Sequence, residues 1–292
     1  MFLLCSEHLS AVHYQVLIVI FLLKTVKIIV VKRDTELDEA KKIADSILEA
    51  RGKTVFFTGA GVSTESGIPD FRGPQGLWTR ISPEIFSLDV FLQDPYDSWI
   101  QYIENIYKPV SKAFPNSAHR SIAELEAMGL VEAVITQNID KLHQKAGSRR
   151  VIELHGSYDE VQCTKCNFKG KIDEHVQYVL ESNAAPRCRI CGSLLKPAVV
   201  YFGEPLPERE LNEAFVLASS CKVMIVVGTS LTVFPAALIP RAAISSGAEL
   251  FIINETPTPL DNQAILVIRE KAGNFLPEVV EVIKEEVSSE RG

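Results

Sequence analysis

A chain of 292 residues is long enough to bury a large core and to hold one large domain with a smaller one beside it. Its 37 acidic and 30 basic side chains give a net charge of −7, and no basic tract occurs. That balance excludes the electrostatic footprint of a nucleic-acid binder and fits an ordinary solvated surface or lysine-rich protein partners.

The chain begins with an apolar stretch. Val16 to Leu23 is uninterrupted, Lys24 and Lys27 break the run, and Ile28 to Val31 resume it. Such a segment falls short of the roughly 20 apolar residues that span a bilayer. It also lacks the preceding positive charge and the small-residue cleavage site of a signal peptide. Residues 1–33 are therefore set apart as an N-terminal extension of unassigned role, with no firm membrane association and a cytoplasmic location expected. From Glu36 to Arg51 a helix is predicted, with Leu37, Ala40, Ile43, Ala44, Ile47 and Leu48 on one face.

Thr54 to Thr58 is a short β-branched and aromatic run, which predicts a buried strand. The chain then turns through Gly59-Ala60-Gly61. Two glycines let the backbone come close to a ligand, and the next helical turn offers N–H groups to a pyrophosphate. Thr64 stands where a dinucleotide fingerprint has its third glycine, and no acidic ribose-binding residue follows about 20 positions on. Both departures disfavour a Rossmann-type dehydrogenase, and a bare G-x-G is shared by many ordinary strand–helix turns. Residues 134–140, 223–230 and 250–254 repeat the theme of an apolar run leading into polar side chains. In a doubly wound sheet such strand ends open onto one crevice, where ligands bind. His155 closes the run VIELHGS beside Gly156. A lone histidine is more often structural, but this one ends an apolar run at a strand tip, next to a glycine that leaves room for a substrate.

Cys163, Cys166, Cys188 and Cys191 form two C-x-x-C pairs, with a gap just beyond the usual zinc-ribbon range. Four thiolates converge tetrahedrally on one Zn²⁺ in such knuckles, and a site filled by four sulfurs is structural rather than catalytic. A disulfide framework is disfavoured because nothing indicates secretion. Cys5 and Cys221 lack this spacing and are expected to be unpaired. A zinc-ribbon nucleic-acid-binding protein is an alternative reading, weakened by the net charge.

Taken in order, GAGVSTESGIPDFR from Gly59, GLW at Gly76 to Trp78, TQNID, LHGS, the four cysteines, KPAVVYFGE at Lys196 to Glu204, GTS and KAG at Lys271 to Gly273 make a set. The chain resembles the sirtuins, NAD-dependent protein deacylases, and most of all their compact archaeal and bacterial members. The likeness extends over nearly everything from about residue 36. It implies an α/β fold with a Rossmann-like, doubly wound, mostly parallel sheet in a catalytic domain at 34–292. A helical module at 73–115 and a zinc module at 158–196 interrupt it. It implies NAD as co-substrate, one structural Zn²⁺, and acylated lysines of proteins as substrates. The products are nicotinamide, O-acyl-ADP-ribose and free lysine.

Residue roles follow from the same resemblance. Gly59, Ala60, Gly61 and Ser63 cradle the pyrophosphate near Arg72, and Glu65, Pro69, Asp70, Phe71 and Trp78 belong to the same cofactor-binding segment. Phe71 covers the developing cation and Gln137 orients the ribose. Asn138, Ile139 and Asp140 receive the nicotinamide carboxamide. Gly228, Thr229 and Ser230 flank phosphates and ribose, Asn254 holds the adenosine ribose, and Lys271 and Ala272 line the adenine pocket. His155, with Asn138, is catalytic, the histidine as general base. Val200, Phe202, Gly203 and Tyr102 bind the substrate, whose peptide adds as a strand between residues 197–204 and 231–235. Glu270 departs from the family's G-K-A-G. Asn105 stands where succinyl-preferring members carry arginine, which implies neutral acyl groups. Protein mono-ADP-ribosyltransfer shares every motif and is the alternative activity.

Overall fold

The computed structural model describes residues 37–74 and 76–289, so everything expected of the apolar N-terminal stretch, and of Cys5, lies outside the described residues. Helix α1 (37–50) buries Ala40, Ile43, Ala44 and Ile47. Leu37, predicted on the same stripe, is exposed, because the core that the helix joins begins only at Ala40.

Strand β1 (Thr54–Thr58) lies between β2 (Val131–Thr136) and β7 (Val223–Val227), and both pairings are parallel. With β3 (Val151–Glu153), β8 (Glu249–Ile253) and β9 (Leu266–Ile268) they make a six-stranded parallel sheet in the order β3-β2-β1-β7-β8-β9. The central strands read as continuous apolar runs because helices cover both faces. On one face α1, α5 (Ser117–Ala127) and α10 (Ala272–Ser289) pack against Phe56, Val134 and Ile225. On the other, α8 (Glu208–Ser220) and α9 (Leu238–Ser245) cover Val55, Phe57 and Val226. Neighbouring residues of β1 thus feed opposite cores, and each fully buried Phe contributes roughly 1.5–3 kcal/mol. Strand order reverses between β1 and β7, and that switch point is where a doubly wound sheet opens a ligand crevice.

A second, antiparallel sheet has the order β5-β4-β6, from β4 (Gly156–Cys163), β5 (Lys169–Lys171) and β6 (Leu195–Val199), with α7 (Asp173–Ser182) beside it. Residues 88–111 form α2 (Leu88–Gln93), α3 (Pro95–Tyr102), a π-turn at Ile103–Tyr107 and α4 (Lys108–Ser111). These helices and the small sheet share one core that includes Phe91, Trp99, Val161 and Leu195. Four aromatic donors cross between them. Trp99 Nε1 donates to the Leu195 carbonyl at 2.9 Å, and Tyr102 Oη to the Tyr158 carbonyl at 3.0 Å. Tyr96 Oη donates to Asn183 Oδ1 at 3.0 Å and Tyr107 Oη to Asp173 Oδ1 at 2.6 Å.

Two predicted strands differ. The 197–204 strand is shifted: β6 belongs to the small sheet and ends at Val199, after which the chain turns with Gly203 at φ 92° and the Glu204 N–H bonded to the Tyr201 carbonyl. Residues 231–235 form no strand; Leu231 adopts φ 54°, a left-handed conformation incompatible with extended pairing.

Beneath the sheet's carboxyl edge lie two fully buried histidines with ring centroids 4.8 Å apart, His119 on α5 and His143 on α6 (Leu142–Ala146). Thr58 Oγ1 gives its proton to Thr136 Oγ1 at 2.8 Å, so His143 Nε2, 2.9 Å away, is the donor to Thr58. Burial lowers His119 to about 4, with Arg120 adding to it, and burial holds His143 well below the usual histidine range. Both rings are neutral in either state above the ordinary histidine value of about 6.5. As pH falls below that, only the unfolded chain takes up protons, so stability declines until the folded rings titrate too. Each histidine contributes a slope of about 1.4 kcal/mol per pH unit in this window. We expect His119→Gln to flatten the fall in urea-unfolding free energy between pH 6 and 4.5 by about that much; an unchanged slope would show that His119 is not the group responsible.

Candidate active site

At the switch point the first and fourth strand ends meet backbone to backbone. A Cβ on Gly61 would lie 2.8 Å from the Gly228 backbone, and one on Gly59 would lie 2.6 Å from Thr229 Cβ. Gly228 has φ 61° and a Cβ there would come 2.3 Å from the Val62 nitrogen. The glycines expected to make room for a ligand are therefore required first by the protein's own packing. The Gly61 N–H donates to the Gly228 carbonyl at 2.8 Å and closes the contact. The turn continues as a 3-10 helix, Ala60–Ser66, rather than an α-helix.

Side chains from β2's tip sit on this turn. Asn138 donates from Nδ2 to the Gly59 carbonyl and to Ser63 Oγ, both at 3.1 Å, while its own N–H is held by Thr136 Oγ1 at 3.0 Å. Ser63 Oγ donates in turn to Asp140 Oδ2 at 2.6 Å, and Asp140 Oδ1 accepts the Leu142 N–H at 2.9 Å. Burial pushes Asp140 above the usual carboxylate range, opposed by those hydrogen bonds. Gln137 Nε2 reaches Thr229 Oγ1 at 3.0 Å, so the tips of β2 and β7 are joined across β1.

His155 follows β3. Its Nδ1 lies 2.8 Å from the Gln137 carbonyl, which can only accept, so Nδ1 carries the proton and Nε2 keeps its lone pair. Burial lowers the pKa, the Gln137 bond opposes that, and Arg72 lowers it further. A neutral imidazole of fixed tautomer is ready to accept a proton at Nε2.

A cavity of about 970 Å³ runs along these residues, at the large end for a ligand site. Every residue expected to contact cofactor or substrate lines it, save Glu65. The Glu65 carboxylate instead accepts the Gly273 N–H at 2.9 Å at the start of α10. That position satisfies an orphan amide at the positive end of the helix dipole, so Glu65 is a helix cap and not part of the cavity wall. Pro69, Asp70, Phe71 and Trp78 close one side; Asp70 Oδ1 takes the Gly73 N–H at 3.0 Å and the Trp78 N–H reaches the Phe71 carbonyl at 3.0 Å. Trp78 gathers Phe71, Phe86 and Phe202 at centroid distances of 5.1, 5.8 and 6.2 Å. Arg72 faces the cavity and makes no ion pair among the described residues, a guanidinium suited to a diphosphate. At the far end Asn254 Nδ2 donates to the Thr256 carbonyl at 2.7 Å, near Ser230, Lys271 and Ala272.

The opposite wall is formed by Val200, Phe202 and Gly203 with Ile139 and Tyr102. Tyr102 is fully buried and its hydroxyl is taken by the Tyr158 carbonyl, which leaves it no donor for a substrate. Asn105 Nδ2 folds back onto the Gln101 carbonyl at 2.9 Å. Val233 and Phe234, within the 231–235 segment expected to receive the peptide, line the cavity; sequence reasoning missed Glu255, which lines it too, and the buried role of Lys196 beneath this wall. A lysine and a glutamate eight positions apart around an apolar run were the available signal for that last group.

The four cysteine sulfurs lie within 4.8 Å of one another. Cys163 and Cys191 Sγ are 3.5 Å apart and Cys166 and Cys188 Sγ 3.6 Å, close to the edge of about 3.8 Å that four Zn–S bonds of 2.3 Å require. Backbone N–H groups of Lys165, Cys166 and Ile190 point at these sulfurs at 3.4 Å, which favours thiolates. The donor set fits one Zn²⁺. Cys221 is buried apart from the cluster as a free thiol.

A model of the Sir2 family matches residues 59–235. The chain belongs to the Sir2 family. This Sir2 chain is 44% identical to NAD-dependent protein deacetylase 1 of Pyrobaculum aerophilum, over 86% of its own length and 97% of that protein's. It is 48% identical to NAD-dependent protein deacylase 2 of Archaeoglobus fulgidus, over 85% and 97%. Among solved structures, a Sir2–p53 peptide–NAD⁺ complex matches with a TM-score of 0.77 at 43% identity, over 85% of this chain and 98% of that one. A Sir2 bound to acetylated peptide matches at 0.76 and 42%, over 82% and 97%. Among the described residues of this Sir2 chain no helix is long and apolar enough to cross a membrane.

For the metal, elemental analysis of the purified chain is expected to return one zinc per molecule. Stripping it with a strong chelator should lower the melting temperature and abolish activity together, as structural zinc is coupled to folding. Full stability in a metal-free preparation would rule the site out.

Proposed function

We propose that this Sir2 chain removes acetyl and other neutral acyl groups from protein lysines at the expense of NAD, releasing nicotinamide, O-acyl-ADP-ribose and free lysine. The observation that carries the reading is His155, a neutral imidazole with its Nδ1 proton fixed by the Gln137 carbonyl. It lines the same cavity as the glycine turn and the Val200–Gly203 segment. The relatives' names and the peptide and NAD complexes of the structural neighbours support the same activity.

NAD supplies the ADP-ribosyl acceptor for the acyl group. The backbone around Gly59 to Gly61 and the Arg72 guanidinium suit its diphosphate; Asn254, Lys271 and Ala272 suit the adenosine end. Asn138 and Asp140, held from behind by Ser63 and Leu142, present an amide and a carboxylate to a carboxamide. Phe71, packed on Trp78, screens the reacting centre from water. Gln137 is held to Thr229 at the ribose position. His155 takes a proton from a ribose hydroxyl at Nε2. A cytoplasmic setting suits the five described cysteines, none of which forms a disulfide. Acylated lysines of proteins are the partners, and the net charge of −7 offers nucleic acid no footprint.

His155→Ala should lower turnover on an acetyl-lysine peptide by about 10²–10⁴ while NAD still binds, followed by nicotinamide release and peptide deacetylation in one assay. Near-normal deacetylation would remove the histidine from the mechanism, and label transferred from NAD to protein without deacetylation would favour mono-ADP-ribosyltransfer.

Acyl preference is tested separately. The cations lining the cavity are Arg72 and Lys271, and the Tyr102–Asn105 region offers none. Acetyl peptide should therefore surpass the succinyl version of the same peptide in kcat/KM by at least about tenfold, since no bidentate cation pairs the extra carboxylate. A better succinyl substrate would overturn the neutral-acyl reading.

A further inference from the structure

Lys196 is a lysine almost without solvent contact, at 1% exposure, behind the wall that Val200, Phe202 and Gly203 present to the cavity. Its Nζ lies 2.9 Å from Glu204 Oε2 and donates to the carbonyls of Val199 at 2.7 Å and Pro197 at 3.2 Å. The Tyr201 ring lies over it, with Nζ 4.6 Å from the centroid. Three N–H donors thus meet three oxygens, and the cation's remaining side meets an aromatic face. Burial lowers the Lys196 pKa and Glu204 opposes that change.

The anion is used twice. Glu204 Oε2 also accepts the Tyr201 N–H at 2.8 Å. Around the pair, the Val200 N–H goes to the His155 carbonyl at 2.9 Å and the Phe202 N–H to the Phe86 carbonyl at 2.9 Å. Among the described residues no hydrogen-bond partner is present for the Val200 carbonyl or the Gly203 N–H, and both residues line the cavity. The ammonium therefore turns the Pro197 and Val199 carbonyls inward, while the neighbouring polar groups remain available at the wall.

We propose that the pair of buried Lys196 and half-buried Glu204 is a positioning device for the acylated peptide, fixing the backbone of residues 197–204 in the shape that offers Val200 and Gly203 to an extended chain. The inference rests on the deacylase reading of the site. Lys196 does not line the cavity, so its effect reaches the peptide through the wall that it supports. Removing the buried ammonium leaves the half-buried Glu204 carboxylate without its cation and frees the Pro197 and Val199 carbonyls, so the segment relaxes, whereas an arginine keeps the positive charge.

The experiment measures steady-state kinetics with an acetyl-lysine peptide and NAD varied independently, on wild type, Lys196→Met, Glu204→Gln and Lys196→Arg, with a melting curve for each. Lys196→Met is expected to raise the peptide KM on the order of tenfold to a hundredfold, with the KM for NAD within about twofold, and Lys196→Arg to recover most of the loss. Glu204→Gln, which keeps the carbonyl that accepts the Tyr201 N–H, is expected to fall between them and covers the case in which Lys196→Met fails to fold. A peptide KM within twofold of wild type in Lys196→Met or, failing that, in Glu204→Gln overturns the positioning role. So does a parallel rise in both KM values, which marks a general loss of structure. Wild type that turns over no acetyl peptide defeats the deacylase reading itself, and this inference with it.

Discussion

The contact between the backbones of Gly61 and Gly228 is the constraint on which the site depends. A parallel sheet brings β1 and β7 side by side, and the loops that leave their carboxyl ends compete for one volume. Only residues without a Cβ allow both loops to pass, at the distances measured here. The polar side chains at the tip of β2 are then referenced to that contact. Asn138 reads the Gly59 carbonyl, Ser63 joins Asn138 to Asp140, and Gln137 bridges to Thr229. An alanine at either position would move the floor of the cavity as well as strain a turn.

The catalytic edge is also a buried polar network. From Thr58 through Thr136 to the Asn138 N–H, hydrogen bonds run without a break, and His143 is attached from below. In a low-dielectric interior such a chain is rigid when satisfied and costly when broken. Asn138, which lines the cavity, is thus held from behind by Thr58, Thr136 and His143, which do not.

Much of this was legible in the sequence, and for a common reason. Strand runs such as Thr54 to Thr58 and Val223 to Val227 carry their burial in composition, and the paired cysteines carry their geometry in spacing. What failed depended on the tertiary path. Leu37 fits the helical stripe, but the core stops short of it. Glu65 belongs to the motif segment, yet its carboxylate goes to α10, which is distant in sequence. The extended run after Lys196 bends where Glu204 turns back on Tyr201, and residues 231–235 are kept from pairing by Leu231's left-handed backbone. An ion pair has no periodicity, so Lys196 and Glu204 could be seen in the sequence only as a spaced lysine and glutamate, and their pairing showed once the fold surrounded the lysine.

The four aromatic donors that tie the helical insertion to the small sheet have a consequence for motion. Neither insertion has a separate core: Trp99 and Tyr102 on one side and Val161 and Leu195 on the other belong to a single cluster. Such a unit opens and closes as one cooperative foldon with a free energy of its own. Opening of that shared core would leave the hydrogen bonds of the six-stranded sheet in place and would separate the cysteine knuckles from the helices. Amide exchange in the Trp99 helix and in the cysteine knuckles should therefore share one protection free energy, although their residues are far apart in the chain.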